Sequence, residues 1–434
     1  MTWADPSAAP AAADGDEAAG GAERRGPARS GLGRGSGLGR GSGRAARSGL
    51  ARLSGLAERL TWPTWVPAAV RATLPIWLAS RVAVALLASV TAGVLSGAAP
   101  SQVPGFRDLW NRWDVGLFTK VARWGYHSPQ YADKTDVDFP GMPLAIHLVH
   151  LVARDWIISG ILVSFIAGAV AAAALWRLSA DDVGPEKAQV SVLTLILFPY
   201  AVFLFAGYSE ALFLAFASTA WLAATRHRWW LAGLLAAGAA GTRVTGIPLA
   251  IGLAVQYVVE RRRAGERLIA TDGLALGLPV LPVLGFLAYL HGKTGRWNSY
   301  TLAMKEGWHR WIDWPWVGWR QTWDVAFHHP QSSAWAWFWR GELGAVVAGV
   351  VLTIVLLRSA RWGEATFLGA ATLLMSSSNF YASGIRTILV AFPLYLALGR
   401  GAARVPCLRG AYIWLSAPVM AAFVVAFTQG QWVD

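Results

Sequence analysis

The sequence predicts an all-α, polytopic membrane protein, and three observations carry that expectation. Of the 434 residues, 55% are hydrophobic and 15% are charged, whereas soluble domains carry about 25% charge. The apolar residues gather into eleven stretches of the length that helices in a bilayer need. Lys and Arg concentrate in the short connections on alternate sides of those stretches, as cytoplasmic loops do. A soluble enzyme is excluded.

Residues 1–65 come first, as a basic tail. They contain a direct duplication, Gly31-Leu-Gly-Arg-Gly-Ser36 followed by Gly37-Leu-Gly-Arg-Gly-Ser42, among Ala, Ser and Arg. Such a composition buries too little apolar surface to offset its ordering entropy, so a disordered cytoplasmic segment along an anionic leaflet is expected. The net charge of +13 would point to nucleic acid if the bases lay on one folded face, which they do not; a Gly-Arg segment that binds RNA is the sharper alternative for the tail, disfavoured because no aromatics interleave the arginines. No cleavable leader is visible, and the first apolar run, near Ala72, is expected to serve as the targeting signal. The one cysteine, Cys407, fits no disulfide or metal pattern and is expected to be a packing residue.

Residues 66–434 are expected to form a multi-spanning domain. The spans are 72–97, 156–178, 188–206, 208–224, 229–242, 244–260, 270–290, 343–358, 363–377, 385–400 and 410–428. With the tail inside, the inner connections are 179–187, 226–228, 261–267, 358–361 and 400–409, of which all but the Asp181-Asp182 connection are basic. The count requires the apolar piece from Pro140 to Val152, too short to cross, to lie on the outer surface. Two large segments, 98–155 and 291–342, then face the exterior.

The first outer loop runs Arg107-Asp-Leu-Trp-Asn-Arg-Trp-Asp114-Val-Gly-Leu-Phe-Thr-Lys-Val-Ala-Arg-Trp-Gly-Tyr126. At 100° per residue, Trp110, Trp113, Leu117, Val121 and Trp124 share one stripe, opposite Arg112, Thr119 and Arg123. The expectation is one amphipathic helix resting on the membrane. Asp114 falls at the edge of that stripe, where a carboxylate costs several kcal/mol unless compensated. It is therefore a functional candidate, with a helix cap or an ion pair to Arg112 or Lys120 as the plainer readings. Asp136-Val-Asp138 has a spacing found at divalent cations, which leaves a metal open beside the alternative of a solvated acidic loop; His127 is a further candidate ligand or base. No cofactor is otherwise indicated.

Three polar points punctuate the outer helix ends: Tyr208-Ser209-Glu210, Thr242-Arg243-Val-Thr-Gly246 and Ser383-Gly-Ile-Arg386. Singly, each reads as a snorkelling terminus. Together, arginines around one end of a bundle have the fork geometry to grip a phosphate. The second outer segment holds ten of the 25 tryptophans, which suit an interfacial anchor, with stacking on a sugar ring or lipid tail as the sharper alternative.

Asn111-Arg-Trp-Asp114 followed by Ala122-Arg-Trp-Gly-Tyr126 resembles the signature of the PIG-V mannosyltransferase family, particularly its actinobacterial members. The resemblance continues in order through Asp138-Phe-Pro-Gly-Met-Pro143, Phe198-Pro199, Tyr208-Ser-Glu210-Ala-Leu-Phe213, Thr242-Arg243-Val-Thr-Gly246, Trp308-His-Arg310, Arg386 and Phe392-Pro-Leu394, over roughly residues 72–400. It implies a class C glycosyltransferase (GT-C) bundle of about eleven transmembrane helices whose first exoplasmic loop carries the catalytic acid. It also implies transfer of a hexose, mannose first, from a polyprenyl-phosphate donor to an exoplasmic glycolipid, glycan or protein acceptor with inversion. In that scheme Asp114 is the general base, Arg243 and Arg386, then Arg112, meet the phosphate, and Tyr208 and Glu210 orient the acceptor or Asp114. Asp138 joins the substrate-binding set. The competing class is a transporter or flippase of a lipid-linked sugar; neither an internal repeat nor mid-membrane charge beyond Arg81 favours it.

Overall fold

The structure is a computed structural model that describes residues 66–95, 103–128 and 135–433. The tail at 1–65, Asp133 and parts of the first outer loop lie outside the described residues. Among the described residues there is no strand. The helices are α1 (Ala68–Val90), α2 (Phe106–Trp110), α3 (Asp114–Trp124), α4 (Gly141–Ala153), α5 (Trp156–Val183), α6 (Pro185–Ile196), α7 (Ser209–Ala224), α8 (Trp229–Ala240) and α9 (Gly246–Ala264). They continue as α10 (Val280–Thr294), α11 (Ser299–Trp308), α12 (Pro315–Phe327), α13 (Ser333–Arg358), α14 (Trp362–Ser376), α15 (Gly384–Leu389), α16 (Phe392–Arg404) and α17 (Cys407–Thr428). Five segments are long and apolar enough to cross a bilayer: Ala68–Val94, Trp156–Val183, Thr271–Thr294, Ser333–Arg358 and Cys407–Thr428. The protein is thus an all-α, multi-pass membrane protein.

Two expected spans are broken, and proline accounts for both. The run at 188–206 stops at Ile196 and resumes as a short turn, Ala201–Leu204, with Pro199 between them. Proline lacks an N–H and disfavours helix at the preceding residue. Pro393 acts likewise at 385–400, separating α15 from α16. Both breaks leave irregular backbone next to charged side chains.

The first outer loop differs from the expected single helix. The chain breaks at Asn111–Trp113, where Trp113 takes φ 51°, and the break resets the helical phase. The buried residues are Leu109 and Trp110 on α2, then Val115, Phe118, Val121 and Ala122 on α3. Trp113 and Trp124, placed in the apolar stripe by an unbroken wheel, are 36% and 38% exposed. The second outer segment also contains more structure than a loop: α11, α12 and the first ten residues of α13, whose start is capped by the Ser332 hydroxyl accepting from the Trp335 amide at 3.3 Å. Cys407 is exposed at the start of α17, not packed.

The spine is α5, whose packed face is built of small residues, including Ser159, Gly160, Ser164, Ala167, Gly168 and Ala171. Small side chains let neighbouring helices approach where lipid offers no competing hydrophobic force. At Gly168 the indole of Trp77 from α1 occupies the space, and a Cβ would lie 2.3 Å from the ring. On α1 the opposite face, Leu78, Val82, Leu86 and Val90, is exposed, as a lipid-facing stripe would be.

Asp155 caps α5, accepting from the Ile158 amide at 2.9 Å and pairing with Arg107 at 2.8 Å. Burial pushes its carboxyl up, but these two partners outweigh that and hold it below the usual carboxylate range. A depressed folded-state value means the contribution is present above the ordinary carboxylate pKa and is lost as pH falls through the folded value. Asp155→Ala is expected to lower stability by about 1 kcal/mol at neutral pH, and the deficit should shrink on acidification in thermal melts of the detergent-solubilised protein.

From Asp155 to Asp182, α5 spans about 40 Å at ~1.5 Å per residue. At its far end all five connections expected on one side meet. Arg226 pairs with Asp181 at 2.5 Å, Arg400 pairs with Asp182 at 2.8 Å and Glu364 at 3.1 Å, and Arg361 reaches Asp182. At its near end Gly160 and Ser164 meet Gly207 and Tyr208, with the Ser164 hydroxyl donating to the Ala206 carbonyl at 2.7 Å.

Candidate active site

The near end of α5 gathers the three polar points of the outer helix ends. Glu210 sits in the first turn of α7 and is fully buried. Its Oε1 accepts from Arg243 Nη1 at 2.6 Å and from Arg386 Nε at 2.5 Å. Arg243 also donates to the Ser209 hydroxyl at 2.9 Å. Arg386, carried by the short α15, turns its Nη1 to Asp114 Oδ2 at 3.0 Å. One guanidinium therefore links both carboxylates, and two arginines balance two acids in a site nearly closed to solvent.

Aromatic rings fix Arg386. Its guanidinium lies 5.0 Å from the Phe203 ring centroid and 4.8 Å from that of Tyr208, a cation–π arrangement that gains strength when desolvated. The Tyr208 ring packs against Phe203 and Phe427, and its hydroxyl accepts from the Asp114 amide at 3.3 Å. Phe203 lies in the turn created by Pro199, so the break in that span places the ring here.

Asp114 opens α3, where backbone N–H groups and the helix dipole favour an anion. Its side chain is 14% exposed, enough for a reacting group to reach it. Trp113 just before it holds a backbone conformation that non-glycine residues adopt only when their surroundings impose it. Asp114 pairs with Arg386, which is 272 residues away in sequence. Arg112 instead donates to the Thr428 carbonyl at 3.0 Å, tying the loop to the end of α17.

Asp138 approaches the cluster through a docked turn. The Gly141 amide donates to the Gly241 carbonyl at 2.8 Å, and a Cβ at Gly141 would stand 2.7 Å from Thr242 Oγ1. Only glycine lets Asp138-Phe-Pro-Gly141 lie against the segment that carries Arg243. The Tyr126 hydroxyl donates to the Asp138 carbonyl at 2.5 Å. Nearby, burial pushes the Tyr300 hydroxyl above its ordinary value, with Arg310 and Arg243 opposing and Asp138 reinforcing the shift. His127 pairs with Asp136 at 2.9 Å, and burial raises the Asp136 carboxyl while His127 lowers it. Among the described residues no group of three or more His, Cys, Asp or Glu side chains stands together to hold a metal ion.

Sequence reasoning missed Glu342 and Tyr300. Glu342 is buried on α13, and its Oε2 accepts from the Gly384 amide at 2.7 Å, which fixes the start of the helix that carries Arg386. Its signal was available: an acid inside Trp339-Arg-Gly-Glu-Leu343, directly before an apolar run. Glu342→Ala leaves a buried N–H unmatched and is expected to cost about 1–3 kcal/mol; Glu342→Gln, which keeps an acceptor, should retain most of that stability in the same melts.

Comparison with known proteins adds an independent line. Residues 134–286 match the family described as dolichyl-phosphate-mannose-protein mannosyltransferase. The chain is similar to the GPI alpha-1,6-mannosyltransferase 2 of Mus musculus, at 33% identity over 163 residues, which are 35% of this chain and 32% of that protein. The Cricetulus griseus protein of the same name is 33% identical over 156 residues, 33% of this chain and 31% of that protein. The similarity thus spans about a third of the length of these curated relatives. Asp138, Tyr208, Glu210 and Arg243 lie within the family match; Asp114 and Arg386 lie outside it.

Proposed function

We propose that the protein is a membrane glycosyltransferase that transfers a hexose, mannose first, from a polyprenyl-phosphate donor to an exoplasmic acceptor. The observation that carries this reading is the closed network Asp114–Arg386–Glu210–Arg243 at one end of an apolar bundle. A carboxylate reachable from outside is paired with one guanidinium and linked through Glu210 to a second, which supplies what a base and a phosphate clamp require. Similarity to mannosyltransferases supports the sugar, and the basic connections gathered at the opposite end support an exoplasmic site with the N-terminal side in the cytoplasm.

Asp114 takes the proton of the acceptor hydroxyl. That oxygen attacks the anomeric carbon, the bond from that carbon to the phosphate oxygen breaks, and the lipid phosphate leaves from the opposite face with the bonding pair, inverting the centre. Arg386 and Arg243 receive the developing phosphate charge. A phosphate drawing on Arg386 weakens the hold of that guanidinium on Asp114, so donor binding restores basicity to the carboxylate. Glu210 keeps both arginines aimed; Tyr208 and Asp138 border the space where donor and acceptor meet, and Arg112 holds the loop.

The test is reconstitution of the purified full-length chain in liposomes with radiolabelled polyprenyl-phosphate mannose and a glycolipid, glycan or protein acceptor fraction. A transferase converts the label into a new product. A carrier moves the labelled lipid across the bilayer without changing it, and that result would replace the present reading.

A further inference from the structure

The end of the bundle opposite Asp114 carries a cleft of about 410 Å³ that the transfer chemistry leaves unused. Asp181, Arg226, Arg263, Arg361 and Glu364 line it, with the buried Trp221 among the wall residues. Each carboxylate here is already shared between two guanidiniums. Asp181 pairs with Arg177 at 3.1 Å and Arg226 at 2.5 Å; Asp182 with Arg361 and, at 2.8 Å, Arg400; Glu364 with Arg400 at 3.1 Å and Arg361 at 3.8 Å. Five arginines thus face three acids, and Arg263 has neither a hydrogen bond nor an ion pair among the described residues. On the wall of the cleft itself four arginines, Arg177, Arg226, Arg263 and Arg361, meet three acids, which leaves one positive charge uncompensated in a concave, partly enclosed space at the level where the helices emerge. Guanidinium forks match phosphate oxygens bidentately and hold them more strongly than a point charge does.

We propose that this cleft binds a phosphate group, supplied by the headgroup of an anionic lipid or by a soluble phosphate, at a site separate from the Asp114 cluster. The carboxylates hold the arginines in place and the surplus charge meets the ligand. Nothing in this inference depends on the sugar-transfer reading.

The full chain in phosphatidylcholine-containing micelles is titrated in two arms, with short-chain phosphatidylglycerol and with inorganic phosphate at constant ionic strength, and binding is followed by the shift in melting temperature. The wild type is expected to bind in at least one arm. Binding in the lipid arm alone identifies a headgroup as the source, and binding of inorganic phosphate identifies the anion itself as sufficient. Arg263→Gln and Arg226→Gln are each expected to weaken that binding about tenfold, the equivalent of one charge-assisted contact. Arg263 is exposed and unpaired among the described residues, so its variant keeps the fold and the test readable if Arg226→Gln unfolds. Arg358→Gln, on the same end but outside the cleft, should bind as the wild type does. No binding in either arm, wild-type binding by Arg263→Gln, or equal weakening by Arg358→Gln would overturn the inference.

Discussion

Arg386→Gln is expected to be among the most damaging single substitutions in the protein, lowering stability by about 3–5 kcal/mol, the range for breaking a buried ion pair by removing one partner. The reason lies in what it leaves behind. Glu210 is fully buried and the Asp114 side chain is 14% exposed, and without Arg386 only Arg243, among the described residues, remains paired with Glu210. Transfer should fall by about 100- to 1,000-fold as well, the size of effect seen when one charge-stabilising donor is lost. Arg386→Lys tests geometry apart from charge. An ammonium radiates its N–H groups from a single nitrogen, so it cannot span the two carboxylates from separate atoms as Nε and Nη1 do, and it lacks the planar face that a guanidinium offers to Phe203 and Tyr208, so lysine should recover little of either property. Thermal melts and labelled-sugar transfer on the same preparations measure both. Glu210→Gln should cost less in the Arg386→Gln background than alone, since the two side chains share one network.

Asp114→Asn is expected to separate chemistry from binding. The amide keeps the shape and can still accept from Arg386, so the fold and the apparent affinity for donor should change little. It cannot take a proton, and kcat should fall by about 100- to 10,000-fold. Asp114→Glu keeps the base but moves it by a methylene, and about 1 Å of misplacement is enough to cost on the order of 100-fold. A variant that instead raised KM with kcat intact would assign Asp114 to binding.

Much of this arrangement was legible in the sequence because membrane physics is local. Length, apolarity and basic connections separated the two ends of the bundle, and the structure gathers Arg226, Arg361 and Arg400 on one end and Arg243 and Arg386 on the other. Asp114, Glu210 and Arg243 stood out because a charge beside an apolar run needs a partner. What the sequence did not reveal depends on long-range pairing and on breaks in helical phase. The turn at Asn111–Trp113 invalidated an unbroken wheel and moved Trp113 and Trp124 out of the buried face. Pro199 and Pro393 divided stretches that hydropathy reads as continuous. Glu342 closes the outer segment 291–342 expected from the sequence, although α13 begins at Ser333 and turns that acid inward toward Gly384.

The most direct test of the central claim, that Asp114 deprotonates the acceptor, is a single-turnover measurement on full-length protein loaded with labelled polyprenyl-phosphate mannose before acceptor is mixed in. Wild type should discharge its label into product in one exponential phase, while Asp114→Asn, holding a comparable amount of donor, should leave the label on the lipid over the same interval. Discharge by Asp114→Asn at the wild-type rate would contradict the account and move the base to another side chain.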